Sequence, residues 1–415
     1  MKRGFRWVIC ALVFAATLIN YMDRQVLGLL KPNLAKTFGW DDMDYAAIVI
    51  AFSAAYAVGQ AVFGPIIQWI GTKSAYAVSI AFWSLAAMAH ALASSTFGFS
   101  LARFALGLGE GGNFPIAIRT VAEWFPQRER SVATGLFNSG TNIGAIVAPL
   151  VVPGLYAVIG WRGTFVVLGA MGFFWLAFWW WLYSAPEQSR RLKPEELAYI
   201  QGDGAIASNP KVPWKRVVAF RETWAYVATG ILVGPVWWFY LFWLPDIFNR
   251  LFKLDLKQFG PPLAVVYTAA ALGSVAGGGL SAWFFRRGWS VNAARKTAAL
   301  ICCCSTVPVA FIPHIQSVWL ATAFFALASA AHQGWSATMY SVVSDMFPKS
   351  AVGSVVGLGG AVASAASLVL YILVGIELRG TGVYDRILPV CGGAYLVALA
   401  IFHFGVPRIE PVRME

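Results

Sequence analysis

The feature that most constrains this chain is the recurrence, along its whole extent, of apolar runs about 20 residues or more in length. The hydrocarbon core of a bilayer is about 30 Å thick, and a helix needs roughly 20 apolar residues to cross it. Twelve such runs are read, at roughly 7–30, 45–70, 74–93, 97–122, 132–156, 163–183, 222–248, 262–285, 296–313, 317–343, 352–375 and 386–406. A soluble domain is close to half apolar and a quarter charged. This chain of 415 residues is 59% hydrophobic and 12% charged, which suits an outer surface that meets lipid. The sequence therefore predicts an all-α membrane protein with twelve transmembrane helices. Gly (40) and Pro (20) interrupt many runs. Membrane helices tolerate them because neighbouring helices re-satisfy the freed backbone, and small residues permit close approach.

The net charge of +12 would suggest a nucleic-acid partner in a soluble chain, but its distribution says otherwise. With the N-terminus placed inside, 20 of the 31 Lys and Arg fall at inner ends and 8 in outer loops, while Arg24, Arg103 and Arg119 lie within or at the end of spans. The positive-inside rule then puts both termini in the cytoplasm, and no nucleic-acid partner is expected. The five cysteines (Cys10, Cys302, Cys303, Cys304 and Cys391) have neither metal-ligand spacing nor a disulfide framework and read as small buried hydrophobes. The basic start and first apolar run exceed a signal peptide and end in "NYMDRQ", not in a small-residue cleavage site, so this helix is expected to be retained.

The longest polar interval, 184–220, carries Pro, charges and a short helix expected around "KPEELAYI". It divides the chain into a six-helix bundle over 1–183, a cytoplasmic central loop over 184–220 and a second six-helix bundle over 221–415. The halves echo each other. "EWFPQRERSVATGLFNSGTNIGAIVAP" (123–149) is answered by "DMFPKSAVGSVVGLGGAVASAASLVL" (345–370), and "FGPIIQWIGTK" (63–73) by "GGGLSAWFFRRG" (277–288). Repeats of this kind suggest a transporter with a site near the midplane between two bundles.

These features carry a resemblance. The six-plus-six order, the "GPIIQWIGTK" loop and "RFALGLGEGGNFPIAIRTVAEWFPQRERSVATGLFNSGTNIGAIVAP" resemble the major facilitator superfamily, and within it the anion:cation symporter family. "GPVWWFYLFWLPDIF" (234–248) and "AHQGWSATMYSVVSDMFPK" (331–349) are similar to its hexuronate transporters. Two positions depart from the superfamily pattern. Gln68 and Ala282 stand where an acid is usual in the loops after spans two and eight. The resemblance makes that acid part of a cytoplasmic charge lock, which is here either absent or moved to Glu123, Arg128, Glu129 and Arg130.

"INYMDRQVLG" places Asp23 and Arg24 inside the first run. A charge at the bilayer centre costs about 3 kcal/mol on insertion scales and usually faces a cavity or a partner. Arg103 and Glu110, seven residues apart in the fourth run, share a helix face. If spans one and four line one cavity, as the resemblance implies, two acids and two arginines converge there. A structural ion pair is the bland alternative for each couple, and Arg119 reads as an interface anchor. Buried ion pairs are poor stabilisers, however. Arginine keeps its charge and offers a fork of donors to a carboxylate, and a buried acid takes up protons more readily. The resemblance favours Arg24 as the substrate ligand, Glu110 and Asp23 as proton carriers, and Arg103 as partner or tuner of Glu110.

A sugar acid also needs hydroxyl partners and an aromatic face. Tyr21 lies one turn from Arg24, Tyr56 sits mid-span in the second run, and "NSGTNIG" brings Asn138, Thr141 and Asn142 into the membrane. The second half offers Trp238, Tyr240, Gln333 and Trp335, with Trp237, His332 and Ser336 beside them. For any single Trp among 19, packing is the plainer reading, and His332 reads as a helix-contact group. "GLGEGG" (107–112) lacks the strand and βαβ context of a dinucleotide loop. No catalytic triad, metal-ligand pair or Walker loop is found, so neither an enzyme nor a cofactor or metal is expected. The reading is an inner-membrane, proton-coupled symporter that imports a sugar acid, a hexuronate such as glucuronate or galacturonate, by alternating access. Its partners would be the sugar acid, protons and the bilayer, and it would act as a monomer. The alternative keeps the class and changes the substrate to an aldonate, an aldarate or another organic anion.

Overall fold

The computed structural model describes residues 4–125, 127–201, 214–347 and 349–412. Among them there are helices and no strands. The side chains of Gln68, Ala282, Arg128, Glu129 and Arg130, which bear on the expected charge lock, lie outside the described residues.

Twelve membrane-spanning segments follow one another. The first, Arg6–Phe38, ends at Gly39, whose left-handed φ of 69° lets its N–H bond Ala35 O. Asp41 then caps the next helix, Asp42–Ala89, in a reciprocal box with Asp44. That helix is two spans joined at Gly71 (φ 76°, ψ 164°). Gln127–Leu182 is likewise two spans joined at Gly160 (φ 66°, ψ −178°). Only glycine takes such angles without strain, so each marks a turn between two membrane crossings. The fourth span is made of Thr96–Glu110 and Asn113–Trp124, too short separately to cross, with Gly111 and Gly112 forming a tighter turn between them. The remaining spans are Arg221–Phe252, Gly260–Arg286, Val291–Thr306 with its 3₁₀ extension Val307–His314, Val318–Met346, Lys349–Thr381 and Ile387–Gly405. The expected helix in the central polar interval is present as Pro194–Gln201.

The chain divides into two compact units, Met1–Ala207 and Ser208–Glu415. The boundary falls inside the polar interval 184–220. In the first unit, spans two and four meet backbone to backbone. A Cβ at Gly107 would lie 2.3 Å from Phe52 O, and one at Gly111 would lie 2.7 Å from Tyr56 O. The second unit repeats the device between spans eight and ten, where a Cβ at Gly273 would come within 2.2 Å of Ala330 O and one at Gly277 within 2.2 Å of Gly334 Cα. Small residues thus replace the hydrophobic drive that is missing between helices in lipid.

Candidate functional site

In the first unit the four charges met inside the apolar runs come together. Arg24 is fully buried, as is Glu110, while Arg103 and Asp23 are 1% and 3% exposed. Arg24 Nε and Nη2 both donate to Glu110 Oε2, at 3.0 and 2.8 Å. Nη2 also donates to Asn20 Oδ1 at 3.1 Å, one turn back on the same helix. The guanidinium carbon sits over three rings, Tyr21 at 4.5 Å, Tyr56 at 4.7 Å and Phe52 at 5.2 Å. Their negative faces favour a cation where no water can solvate it. Phe52 also lies 5.6 Å from the Arg103 guanidinium carbon.

Glu110 is bonded to Arg24 and not to Arg103, which donates through Nη2 to the backbone oxygen of Arg24 at 3.2 Å. Arg103 therefore reaches Glu110 as a nearby charge, and Asp23 feels both of them. Among the described residues, Glu110 Oε1, Asp23 Oδ2, Arg103 Nε and Nη1, and the amide nitrogens of Asn20 and Gln25 are buried without a hydrogen-bond partner. Most buried polar groups are paired, and each orphan costs about 1–3 kcal/mol. Those on Glu110, Asp23, Arg103 and Asn20 belong to residues already placed around the ion pair, where a polar guest would find unmet donors and acceptors.

The surroundings hold this cluster rigidly. Tyr76 OH donates to Asn113 Oδ1 (2.7 Å), and Asn113 Nδ2 donates to Thr17 Oγ1 (3.2 Å), which joins spans three, four and one beside the Gly111–Gly112 turn. Ser79 Oγ donates to Gly109 O at 2.8 Å. On the fifth span, Gly144 lies against Leu18 and Tyr21. Thr141 and Asn142, half-buried, are therefore on the span that packs beside Tyr21, with the Thr141 hydroxyl donating to its own helix at Asn138 O (2.8 Å).

The second unit holds the other expected residues in an aromatic setting. Trp238 stacks on Phe242 at 6.0 Å. Tyr240 is buried, edge-on to Phe325, its hydroxyl without a partner among the described residues. Trp335 meets Tyr395 edge-on, and Gln333, two residues before it, is half-buried. His332 lies parallel to Trp237 at 5.1 Å and shares a 2.5 Å hydrogen bond between Nδ1 and the Tyr395 hydroxyl, a polar contact between helices as expected. Two acids of this unit, Asp246 and Asp345, are engaged near helix ends. Asp246 accepts from Arg250 and Tyr384, and Asp345 accepts from Arg295. In the first unit Glu123 takes hydrogen bonds from Thr72, Arg119 and Tyr183, while Arg119 itself is largely exposed.

Sequence reasoning passed over Asn20, Phe52 and Asn113. The signal was present for two of them, since Asn20 precedes Arg24 and Phe52 precedes Tyr56 by one helical turn of four residues.

A cluster of opposite charges buried inside membrane-spanning helices marks a functional site, and comparison with known proteins decides which kind. The model of the Major Facilitator Superfamily matches residues 13–371. The chain belongs to the major facilitator superfamily. It is a multi-pass membrane transporter, not an enzyme. It is 30% identical over 379 residues to the hexuronate transporter of Escherichia coli (strain K12), covering 90% of this chain and 88% of that protein. It is 30% identical to the galacturonate transporter of Dickeya chrysanthemi, over 70% of this chain and 85% of the other. A probable galactarate/D-glucarate transporter, GudP of Escherichia coli (strain K12), is 27% identical over 100% of this chain and 96% of its own length. Among solved structures, a D-xylose-proton symporter superposes with a TM-score of 0.77 at 14% identity over 98% of this chain and 99% of that one. A bacterial homologue of the human lysosomal transporter Spinster, in an inward-facing and occupied conformation, gives 0.74 at 17% identity over 98% of each chain. At such identities the structures attest the fold alone.

Proposed function

We propose that this superfamily member is a proton-coupled symporter that brings a hexuronate, such as glucuronate or galacturonate, across the inner membrane by alternating access. Both termini would lie in the cytoplasm and the chain would act as a monomer. The names of the relatives support the substrate class. The observation that carries the coupling is the buried ion pair between Arg24 and Glu110, with Asp23 and Arg103 beside it.

The mechanism follows from charge. With all four groups ionised the cluster sums to zero. A proton on Glu110 removes the partner that holds Arg24 Nε and Nη2, and the cluster becomes net +1. The substrate carboxylate replaces the lost charge and takes over the guanidinium fork, for which arginine is suited. Proton and anion thus favour each other's binding reciprocally. The loaded cluster is again neutral, so it costs less to close away from water. Asp23 is the second acid able to carry a proton. Tyr21 and Tyr56 hold their rings over the Arg24 guanidinium and offer hydroxyls to the sugar, and Thr141 and Asn142, on the span that packs beside Tyr21, add further polar contacts. Within the second unit, Trp238, Tyr240, Gln333 and Trp335 are the candidates for the C–H faces and hydroxyls of a sugar.

Proteoliposome uptake tests the proposal. Labelled glucuronate or galacturonate should accumulate when the inside is made alkaline and fall to simple equilibration when the gradient is collapsed. Accumulation that ignores the gradient would overturn the coupling. Counterflow with unlabelled competitors tests the substrate, and a preference for galactarate or glucarate over both uronates would replace hexuronate by aldarate.

A further inference from the structure

The second unit carries, away from the residues discussed so far, a groove of about 440 Å³ between Val291–Thr306 and Ile387–Gly405. Its walls are sorted by polarity. On one helix Asn292, Lys296 and Leu300 follow each other at four-residue intervals, and on the other Leu396, Ala400 and Phe404 do the same in the opposite direction. At about 1.5 Å per residue each stripe is roughly 12 Å long. The groove therefore opens on a polar mouth, formed by Asn292, Lys296 and His403, and runs on to a purely aliphatic end at Leu300 and Leu396. Leu300, Leu396 and Phe404 are 46%, 39% and 78% exposed. In a membrane chain such residues face lipid tails.

The mouth has a defined charge. Lys296 Nζ donates to the backbone oxygens of Val406 and Pro407, each at 2.7 Å, which pins the ammonium in place and leaves one N–H unused among the described residues. Arg408 is exposed beside those carbonyls, with Glu410 exposed two residues further on. The N-terminus of Val291–Thr306, capped by Ser290, opens at the same place, and a helix N-terminus favours an anion. Arg287 and Arg295 gather at the same end of the unit, Arg295 being turned away to Asp345. An immobilised ammonium at the head of an apolar slot suits an amphiphile with an anionic head, and the one that a bilayer supplies in bulk is a phosphate ester carrying acyl chains.

We propose that this groove binds an anionic phospholipid, its phosphate against Lys296 and one acyl chain along Leu300, Leu396 and Ala400. The site is independent of the Arg24–Glu110 cluster and of the transport reading. The full chain in nanodiscs of mixed phosphatidylglycerol and phosphatidylcholine tests it, with the retained lipids counted by native mass spectrometry after release into detergent. Phosphatidylglycerol should be retained preferentially. K296Q should lower that preference about fivefold, the factor that ~1 kcal/mol per basic residue near a membrane surface gives. A400W, which fills the apolar part and leaves the mouth intact, should lower it as much, and melting curves of both variants show that they fold. Two results would overturn the proposal. One is equal retention of the two lipids. The other is protection of the melting curve by inorganic phosphate alone that A400W leaves unchanged, since that describes a bare phosphate site.

Discussion

Arg24 spends both N–H groups of one fork edge on a single oxygen of Glu110 and sets its guanidinium carbon over the rings of Tyr21 and Tyr56. Two predictions turn on that geometry. In E110Q the shape is kept and the charge is lost, so gradient-driven accumulation should disappear while exchange of external for internal substrate persists; accumulation at the original level would remove Glu110 from the proton path. Stability gives a second readout. Removing one partner of a buried pair leaves a lone charge and costs about 3–5 kcal/mol, whereas replacing both by apolar residues of similar volume is often close to neutral. R24M should therefore melt well below the unaltered protein, and R24M/E110M should recover most of the loss in detergent melting curves. The sequence showed that these charges lie in a membrane, because "INYMDRQ" and "RFALGLGE" are polar letters in apolar runs. It did not show who pairs with whom. Asp23 and Arg24 are adjacent, so about 100° of helix separates their side chains, and only the crossing of spans one and four hands Glu110 to Arg24 and leaves Arg103 on a backbone oxygen.

The elements are governed by glycines of two kinds, and a substitution separates them. A Cβ at Gly111 would lie 2.7–2.8 Å from backbone atoms of Tyr56, Gly59 and Gln60, none of which can move without shifting span two. Overpacking of this sort costs about 1–3 kcal/mol. Tyr56 also touches Arg24, so G111A should lower both the melting temperature and the substrate affinity. Gly71 has nothing within 4 Å but a φ of 76°. With ψ at 164° this backbone lies in a region that glycine alone populates, so G71A should cost about 1–3 kcal/mol and leave affinity unchanged. Gly393, helical and with open space around it, is the neutral control. Ligand-dependent melting curves of the three variants check the order, and a G71A affinity loss as large as that of G111A would refute it. The turn at Gly71 was legible as a gap between apolar runs, and the capping of Asp42–Ala89 by Asp41 follows from acids before a helix. The tighter turn at Gly111–Gly112 was not, because glycines in a membrane span read equally as packing surface.

At the scale of the molecule, the twofold repeat was legible because two copies of one polar string, "EWFP" and "DMFP", close matching spans. The asymmetry between the units is the more informative part. The first unit buries four central charges, while Asp246 and Asp345 of the second are satisfied by arginines near helix ends. On the proposed mechanism the coupling charge is confined to a cluster whose sum is zero when ionised, and this sets an expected stoichiometry. One carboxylate is cancelled by one proton, so a hexuronate should enter with a single H⁺ and carry no net charge. A membrane potential imposed with potassium and valinomycin, inside negative and without a pH gradient, should then fail to drive its uptake. A pH gradient of equal magnitude should drive it, and the reversal condition should correspond to one proton per uronate. An aldarate carries two carboxylates and the cluster holds two acids, so Glu110 and Asp23 would both have to be protonated and two protons should enter with it. In that case D23N should reduce the coupling of the aldarate from two protons to one, lowering its accumulation, and spare that of the uronate. Uronate uptake driven by potential alone would require a net positive loaded state, which four charges of zero sum plus one proton and one carboxylate do not provide.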